Sequence, residues 1–173
     1  MKYDVFLNDK LIGGLDIKRN TKDGLTYYLM RSDVNFRFLF KMTLNYTFET
    51  TYQNEMLIAG TTQNVMNDNV KSSSKVTWNG NHYLLQVDND RSVLKNKRIN
   101  YSMVSLYFQE PRQIAQVFSE RYARFLPIKP LSDHRYELVM PDGKKNYYSY
   151  VNGICQSVEV NHTFGKIIFK LIQ

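Results

Sequence analysis

Apolar side chains recur at every second residue along much of this chain, and the longest such run lies between residues 36 and 48. Side chains alternate between the two faces of a β-strand, so one face of this segment is apolar and the other is mostly polar. The pattern predicts a strand roughly 43 Å long at ~3.3 Å per residue. A strand of that length must coil, which favours a barrel. The apolar positions are Phe36, Phe38, Phe40, Met42, Leu44, Tyr46 and Phe48.

Turn residues divide most of the remaining chain into short alternating segments. Asn-Gly and Asp-Gly pairs supply the positive φ angles that tight hairpins need, so these segments should pair with their neighbours in antiparallel fashion. Gly13-Gly14 lies inside one segment and predicts a bulge or a barrel corner. We therefore predict an all-β fold, an antiparallel meander of about ten or eleven strands forming a barrel or half-barrel. The predicted strands include residues 2–7, 11–19, 25–34, 56–66, 70–78, 82–87, 134–140, 144–151, 154–162 and 166–172.

One region, residues 101–130, breaks this alternation. Ser102 is a suitable N-cap for a short helix through Phe108, and Pro111 suits the first turn of a second helix over residues 112–119. We expect a helical insertion at about residues 102–122 to cover one end or the open side of the sheet. Nothing indicates a domain boundary, so residues 1–173 are predicted to form a single domain.

Composition restricts the possible functions without selecting one. The net charge of +7 raises affinity for polyanions, but the basic residues are spread along the chain rather than concentrated, so no nucleic acid is expected as a partner. No stretch approaches the ~18–20 apolar residues of a transmembrane segment. The single cysteine, Cys155, is expected to be buried and inert. The three histidines have no metal-ligand spacing, and we predict no metal, no cofactor and no catalytic residue.

Charged and aromatic side chains are densest in the predicted insertion, where loops on a rigid sheet often carry binding groups. One interpretation places these side chains at the rim of a pocket, and the other makes the charged ones ordinary helix-end or surface groups. The apolar face of the 36–48 run either fills the barrel or lines a cavity. On the strand predicted at 144–151, Tyr148 and Tyr150 share one face and Tyr147 lies on the other. The candidate ligand-binding residues are Tyr107, Glu110, Glu120, Arg121, Tyr122, Phe38 and Phe40.

The order of these features resembles an uncharacterised, mostly exported family of bacterial proteins with a single β-barrel-like domain of unknown function. The resemblance implies an antiparallel barrel similar to lipoprotein-carrier-like half-barrels and a setting in the cell envelope. It implies no catalytic residue. The segments that carry it are residues 3–8, 12–13, 38–41, 106–111, 117–121, 138–144 and 164–167.

The leading hypothesis is a non-enzymatic binding or structural module of the envelope, holding a lipid-like apolar or amphipathic ligand between the sheet and the insertion. A second hypothesis is a hydrolase that uses Glu110 or Glu120 as its general base. A third is a protein that binds polyanions or nucleic acid. We expect the periplasm or cell envelope as the location if a signal peptide is removed before Met1, and the cytoplasm otherwise. The oligomeric state is left open.

Overall fold

The computed structural model describes residues 1–37, 41–162 and 165–172. This part of the chain forms fourteen strands and one short helix, α1 (Ser105–Phe108). The strands of the first half are β1 (Lys2–Leu7), β2 (Lys10–Lys22), β3 (Leu25–Arg37), β4 (Lys41–Gln53), β5 (Met56–Met66), β6 (Asn69–Trp78), β7 (Tyr83–Val87) and β8 (Asp90–Leu94). Those of the second half are β9 (Gln116–Ser119), β10 (Arg124–Ser132), β11 (Arg135–Val139), β12 (Lys145–Val151), β13 (Ile154–His162) and β14 (Gly165–Leu171).

All fourteen strands belong to one antiparallel sheet in which nearly every strand pairs with its neighbours in sequence. The order is β8-β7-β6-β5-β4-β3-β2-β1-β14-β13-β12-β11-β10-β9, so β1 and β14 join the two halves at the centre. The edge strands β8 and β9 do not pair with each other, and the sheet is barrel-like but not closed. The predicted all-β meander is confirmed, while the predicted number of ten or eleven strands is too low.

The predicted single strand over residues 36–48 is wrong, although its alternation is real. Phe36 pairs with Met42 and Arg37 with Lys41, so the chain reverses direction inside the run. In this pairing an even-numbered residue always lies opposite another even-numbered residue, as Phe36 lies opposite Met42. Even-numbered side chains therefore face the same side of the sheet on both strands. The buried positions Phe36, Met42 and Phe48 all obey this rule. Phe38 and Phe40 lie outside the described residues.

The predicted helical insertion is mostly not helical. Only α1 is a helix, and the segment predicted as a second helix contains a loop followed by β9. The backbone of Phe118 explains the difference, because its N–H donates to Tyr101 at 3.1 Å and its carbonyl accepts from Met103 at 3.0 Å. The other side of β9 pairs with β10. Sheet pairing on both sides outweighs the weak helical preference of this segment.

The segment of residues 95–104, here named the bridging segment, crosses the gap between the two edges of the sheet. Near its middle, the carbonyl of Ile99 accepts a hydrogen bond from the backbone N–H of Leu57 in β5 at 2.8 Å. Further along, Tyr101 and Met103 bond to Phe118 of β9. The bridging segment is therefore hydrogen-bonded to both halves of the meander. It connects the two halves where β8 and β9 do not pair with each other.

The predicted bulge at Gly13-Gly14 is confirmed. The β1–β2 pairing passes from Val5–Gly13 to Phe6–Leu11, which leaves Ile12 as an extra residue. A Cβ atom on Gly13 would lie 2.0 Å from the carbonyl oxygen of Asp33, closer than any real contact allows. Glycine is therefore required at position 13 by the close approach of β3.

We expect Gly13→Ala to lower the free energy of unfolding by about 1–3 kcal/mol, because the backbone of β3 must move to accept the methyl group. Gly14→Ala is the matched control, since its Cβ would meet only the carbonyl oxygen of Tyr3 at 3.5 Å. Urea denaturation of both variants checks the prediction. Equal stabilities would show that the contact between β2 and β3 is looser than described.

The interior of the sheet is rich in aromatic residues, as their frequency suggests. Tyr3, Phe48, Tyr83, Phe118 and Tyr148 are all essentially inaccessible to solvent. The buried hydroxyl groups of Tyr3 and Tyr83 donate hydrogen bonds to the carbonyls of Cys155 at 2.7 Å and Leu57 at 2.8 Å. No helix among residues 1–37, 41–162 and 165–172 is long and apolar enough to cross a membrane.

Candidate functional site

A cavity of about 240 Å³ lies between the inner face of the sheet and the segment that follows β9. Strands β2 to β4 form one wall and strands β12 to β14 form the opposite wall. Most of its lining is apolar or aromatic, which is the usual composition of a small-molecule site. The apolar and aromatic lining residues are Leu15, Met30, Tyr46, Phe48, Met103, Tyr107, Tyr122, Met140, Tyr148, Val158, Val160 and Phe169.

Four polar residues interrupt this lining. They are Ser32, Ser119, Arg121 and Asn146, and Arg121 is the only charged residue among them. Arg121 is half-buried, and its Cζ atom lies 5.2 Å from the centre of the Tyr122 ring. The cavity therefore combines a large apolar wall with a small number of polar groups, an arrangement suited to a ligand with two chemically different ends.

Tyr107 is fixed by α1 on the wall of this cavity. Its ring makes an edge-on contact with the ring of Tyr3, with 5.4 Å between the ring centres. Burial raises the pKa of Tyr107 well above its ordinary value, so the hydroxyl group stays protonated at any physiological pH. Tyr107 can therefore offer a ring surface and a neutral hydroxyl group, but no charge.

Glu120 is fully buried beside the cavity but is not one of its lining residues. Its Cγ atom lies 3.3 Å from the place that a Cβ atom would occupy on Gly60 of β5. Neither carboxyl oxygen makes a hydrogen bond to a described residue. Burial raises the pKa of Glu120 to about 8, although Ser102 and the backbone amide of Met103 act in the opposite direction. The side chain is therefore a neutral acid at pH 7.

Glu110 lies elsewhere, at a groove of about 600 Å³ that also includes Arg112 and Ile154. Its carboxylate accepts hydrogen bonds from the Tyr136 hydroxyl at 2.9 Å, from Arg112 Nε at 3.1 Å and pairs with His134 Nδ1 at 3.0 Å. Burial opposes ionisation of Glu110, but these three partners outweigh it and lower the pKa of the carboxyl group. Glu110 is thus a stable carboxylate that orients His134 and Tyr136.

The candidate residues therefore divide into separate places. Tyr107, Arg121 and Tyr122 meet at the cavity. Glu120 is sealed behind it, and Glu110 belongs to the other groove. Phe38 and Phe40 are outside the described part of the chain. The two glutamates of the predicted rim do not line the same space, and the ligand-binding role of the candidate residues stays a prediction.

Sequence reasoning missed the cavity residues that come from distant strands. Asn146 and Tyr148 lie on β12, and Tyr148 together with Tyr150 is buried on its inner face, as the alternation predicted. Tyr147 lies on the outer face, where the Arg135 guanidinium is 5.3 Å from its ring centre. The alternation pattern could have found Asn146, because it places this polar residue on the same strand face as Tyr148 and Tyr150.

Arg121, Lys144 and His162 form a cluster of basic side chains that interact electrostatically. Burial lowers the pKa of His162, and the nearby charges of Lys144 and Arg121 lower it further. Lys144 pairs with Asp142 at 3.1 Å, which neutralises part of this cluster. No carboxylate in the described part of the chain forms an ion pair with Arg121. The charge of Arg121 is therefore not neutralised by the described chain.

Cys155 and the histidines are further groups whose side chains could react. Cys155 is buried, as predicted, and burial raises the pKa of its thiol to about 12, so it is not a reactive thiolate. His82 hydrogen-bonds Asn79 at 3.2 Å in the turn before β7. His134 pairs through Nδ1 with the candidate residue Glu110 at 3.0 Å.

The open antiparallel sheet with a cavity under its inner face defines a β-barrel-like protein. Comparison with solved structures supports this class, since the chain is similar to the crystal structure of a beta-barrel-like protein, a domain of unknown function DUF1849 from Brucella abortus. The two share 12% identity with a TM-score of 0.63, and the match covers 99% of this chain and 94% of that one. At this identity the likeness shows the fold alone.

The family of the chain is identified by a match over residues 3–172 to the domain of unknown function DUF6134. The chain belongs to this family. No curated protein matches it. The resemblance to an uncharacterised family with one β-barrel-like domain is confirmed.

Proposed function

We propose that this protein is a non-enzymatic binding module of the cell envelope that holds a small apolar or amphipathic ligand in the cavity beneath its sheet. The observation that carries the proposal is the cavity of about 240 Å³, whose wall is mostly apolar and in which Arg121 is the one charged residue among the described lining residues. The envelope setting rests on the resemblance to mostly exported bacterial proteins.

The size and composition of the cavity support a small ligand. An apolar cavity of ~150 Å³ is enough to bind benzene, and drug-sized ligands need ~300 Å³ or more. The volume here lies between the two. Met30, Met103 and Met140 contribute to the wall, and the flexible methionine side chain can adjust to ligands of different shape.

The hydrolase alternative has less support from the same geometry. A general base needs a pKa near the working pH and contact with the substrate. Glu110 is an ionised carboxylate with a lowered pKa, and Glu120 has a raised pKa but is inaccessible to solvent. The groove at Glu110 contains no serine, threonine or cysteine among its described lining residues that could act as a nucleophile.

The polyanion alternative also has less support. Several basic side chains on the outer face are already paired with carboxylates, as when Lys129 and Lys145 both bind Glu137 at 3.3 Å and 3.1 Å. Lys166 and Arg135 likewise share Glu159. Such alternation of charge disfavours the continuous basic surface that phosphate backbones require.

Filling the cavity should weaken ligand binding. We expect wild-type protein to bind decanol, an uncharged amphipath, and to shift the NMR methyl signals of Met30 and Met103. Ser32 lies on β3 and lines the cavity, so Ser32→Phe should weaken decanol binding at least tenfold by occupying the space.

Ser149→Phe is the control for this experiment. Ser149 lies on β12 between the inward-facing Tyr148 and Tyr150, so the same change falls on the outer face of the sheet. It should leave decanol binding unchanged. If wild-type protein shows no methyl shifts with decanol, or if folded Ser32→Phe binds as well as wild type, the cavity is not a ligand site.

A further inference from the structure

Arg121 gives the cavity a charged end for which the described chain supplies no counter-ion. The guanidinium group makes neither an ion pair nor a hydrogen bond to a described residue, and its protein contact is the face of the Tyr122 ring. A half-buried cation keeps a desolvation penalty unless an anion compensates it. The ring contact is a weak attraction and satisfies none of the five N–H donors.

The surroundings of Arg121 do not neutralise its charge. Burial and the charges of Lys144 and Arg121 lower the pKa of His162 and favour its uncharged form, and the carboxylate of Asp142 is paired with Lys144 at 3.1 Å. The nearest acid in sequence, Glu120, is neutral at pH 7 and sealed from the cavity. Burial raises the pKa of Tyr46, and the nearby charge of Arg121 only partly opposes this, so the hydroxyl group stays protonated. It can therefore donate a hydrogen bond to an anion.

We propose that the ligand is a single-chain carboxylic acid whose carboxylate pairs with the Arg121 guanidinium and whose hydrocarbon tail lies against the apolar wall. This inference rests on the proposed binding function and adds the chemical class of the ligand. A guanidinium group binds a carboxylate through two parallel N–H donors, which fixes the head group while the tail remains adaptable.

The cavity volume sets the length of the tail. In proportion to the ~150 Å³ that accommodates the six carbons of benzene, a volume of about 240 Å³ accommodates roughly eight to ten carbons. Three methionines in the wall allow some variation around this length. A medium-chain fatty acid fits these limits, whereas a two-chain phospholipid does not.

The experiment compares three ligands of one tail length and different heads: decanoate, decanol and decylamine. Each is titrated at pH 7.5 into wild-type protein with methyl-labelled methionines, so that binding is detected at Met30, Met103 and Met140. We expect decanoate to bind about tenfold or more tightly than decanol, and decylamine to bind more weakly than decanol. Arg121→Gln should remove the advantage of decanoate, so that decanoate binds no more tightly than decanol.

Two further variants separate charge at this site from charge in general. Arg121→Lys should retain part of the preference, because it keeps the charge but loses the forked geometry. Arg124→Gln is the matched control on exposed chain three residues away and should behave as wild type. Circular dichroism of each variant confirms that the sheet is intact.

The outcomes distinguish this inference from the function on which it rests. Equal affinity for decanol and decanoate, or a preference that survives in Arg121→Gln, overturns the acid head group and leaves the binding function standing. Absence of methyl shifts with all three ligands overturns both. If decylamine binds more tightly than decanol, the ligand is not an anion and the proposed pairing with Arg121 is overturned.

Discussion

The free energy of unfolding should fall by about 1.4 kcal/mol for each pH unit between about pH 5 and pH 8, and Glu120→Gln should remove most of that slope. The cause is the fully buried carboxyl group of Glu120, whose pKa burial raises from 4.5 to about 8. Over the whole interval the loss amounts to roughly 4–5 kcal/mol, which is a large part of the stability of an ordinary domain.

The sign follows from counting protons. Between pH 4.5 and 8 the folded protein keeps the Glu120 proton, whereas the unfolded chain has released it. Stability falls with rising pH wherever the folded state binds more protons than the unfolded state. The contribution of Glu120 is therefore fully present below its unfolded pKa and is lost as the pH rises towards its folded pKa.

Measurement requires urea denaturation of wild type and Glu120→Gln at pH 5, 6, 7, 8 and 9. Glutamine has nearly the same shape as protonated glutamate but cannot ionise, so the two proteins should be similar at pH 5 and differ most at pH 9. His162 titrates with a lowered pKa and contributes stability that is lost as pH falls, but it does so in both proteins and cancels in the difference. Glu49→Gln, at an exposed position on β4, is the control for removal of a carboxylate.

A parallel pH dependence in wild type and Glu120→Gln would mean that water or another donor reaches this carboxyl group.

The surroundings of Gly60 show how tightly the Glu120 side chain is packed. A methyl group there would lie 3.3 Å from Glu120 Cγ and 3.4 Å from Thr50 Cγ2, so the neighbouring side chains leave little room for a hydration shell. The tight contact explains why burial dominates over the nearby polar groups.

Much of the fold could be predicted because its turns have distinctive chemistry. Strands β5 and β13 have the predicted boundaries, and the turns beside them contain residues with positive φ angles. Asn67 follows β5, and Asn152 lies in the turn before β13. The reversal between β3 and β4 was missed because the sequence between Arg37 and Lys41 is Phe-Leu-Phe, with none of the residues that usually mark a turn. The alternation of apolar residues could not reveal the reversal either, since even-numbered side chains are on the apolar face both before and after it.

The site was only partly predictable for a different reason. Local density of aromatic and charged residues was enough to select Tyr107, Arg121 and Tyr122. It could not separate Arg121 from Glu120, because these neighbours in sequence have different environments. The Arg121 side chain lines the cavity, whereas that of Glu120 is fully buried beside it. The opposite wall comes from strands far away in sequence, and only the pairing of β1 with β14 brings β2 and β13 to the same cavity.

Removal of a single hydroxyl group, in Tyr83→Phe, should lower the free energy of unfolding by about 2–5 kcal/mol. The Tyr83 hydroxyl donates to the carbonyl of Leu57 at 2.8 Å and accepts from the backbone N–H of Ile99 at 3.2 Å. All three residues are fully buried. Phenylalanine would leave two backbone groups without these partners, and each buried unpaired group costs about 1–3 kcal/mol.

The location of Tyr83 makes this loss specific to the bridging segment. Leu57 and Ile99 also share a backbone hydrogen bond of 2.8 Å, so Tyr83 completes the attachment of the segment to β5. Hydrogen exchange in Tyr83→Phe should therefore accelerate first at Leu57 and Ile99. Tyr27→Phe, at a position that is 41% exposed, is the control and should change stability by less than about 0.5 kcal/mol.

The same variant connects closure of the sheet to the cavity. Met103 lies at the far end of the bridging segment and lines the cavity, and Ser102 beside it accepts a hydrogen bond from the Tyr52 hydroxyl at 2.6 Å. Loosening of the segment in Tyr83→Phe should therefore broaden the methyl signal of Met103 more than that of Met30, which lies on β3. If stability falls by less than about 1 kcal/mol and exchange at Ile99 is unchanged, the bonds between Phe118 and residues 101–103 hold the segment without Tyr83.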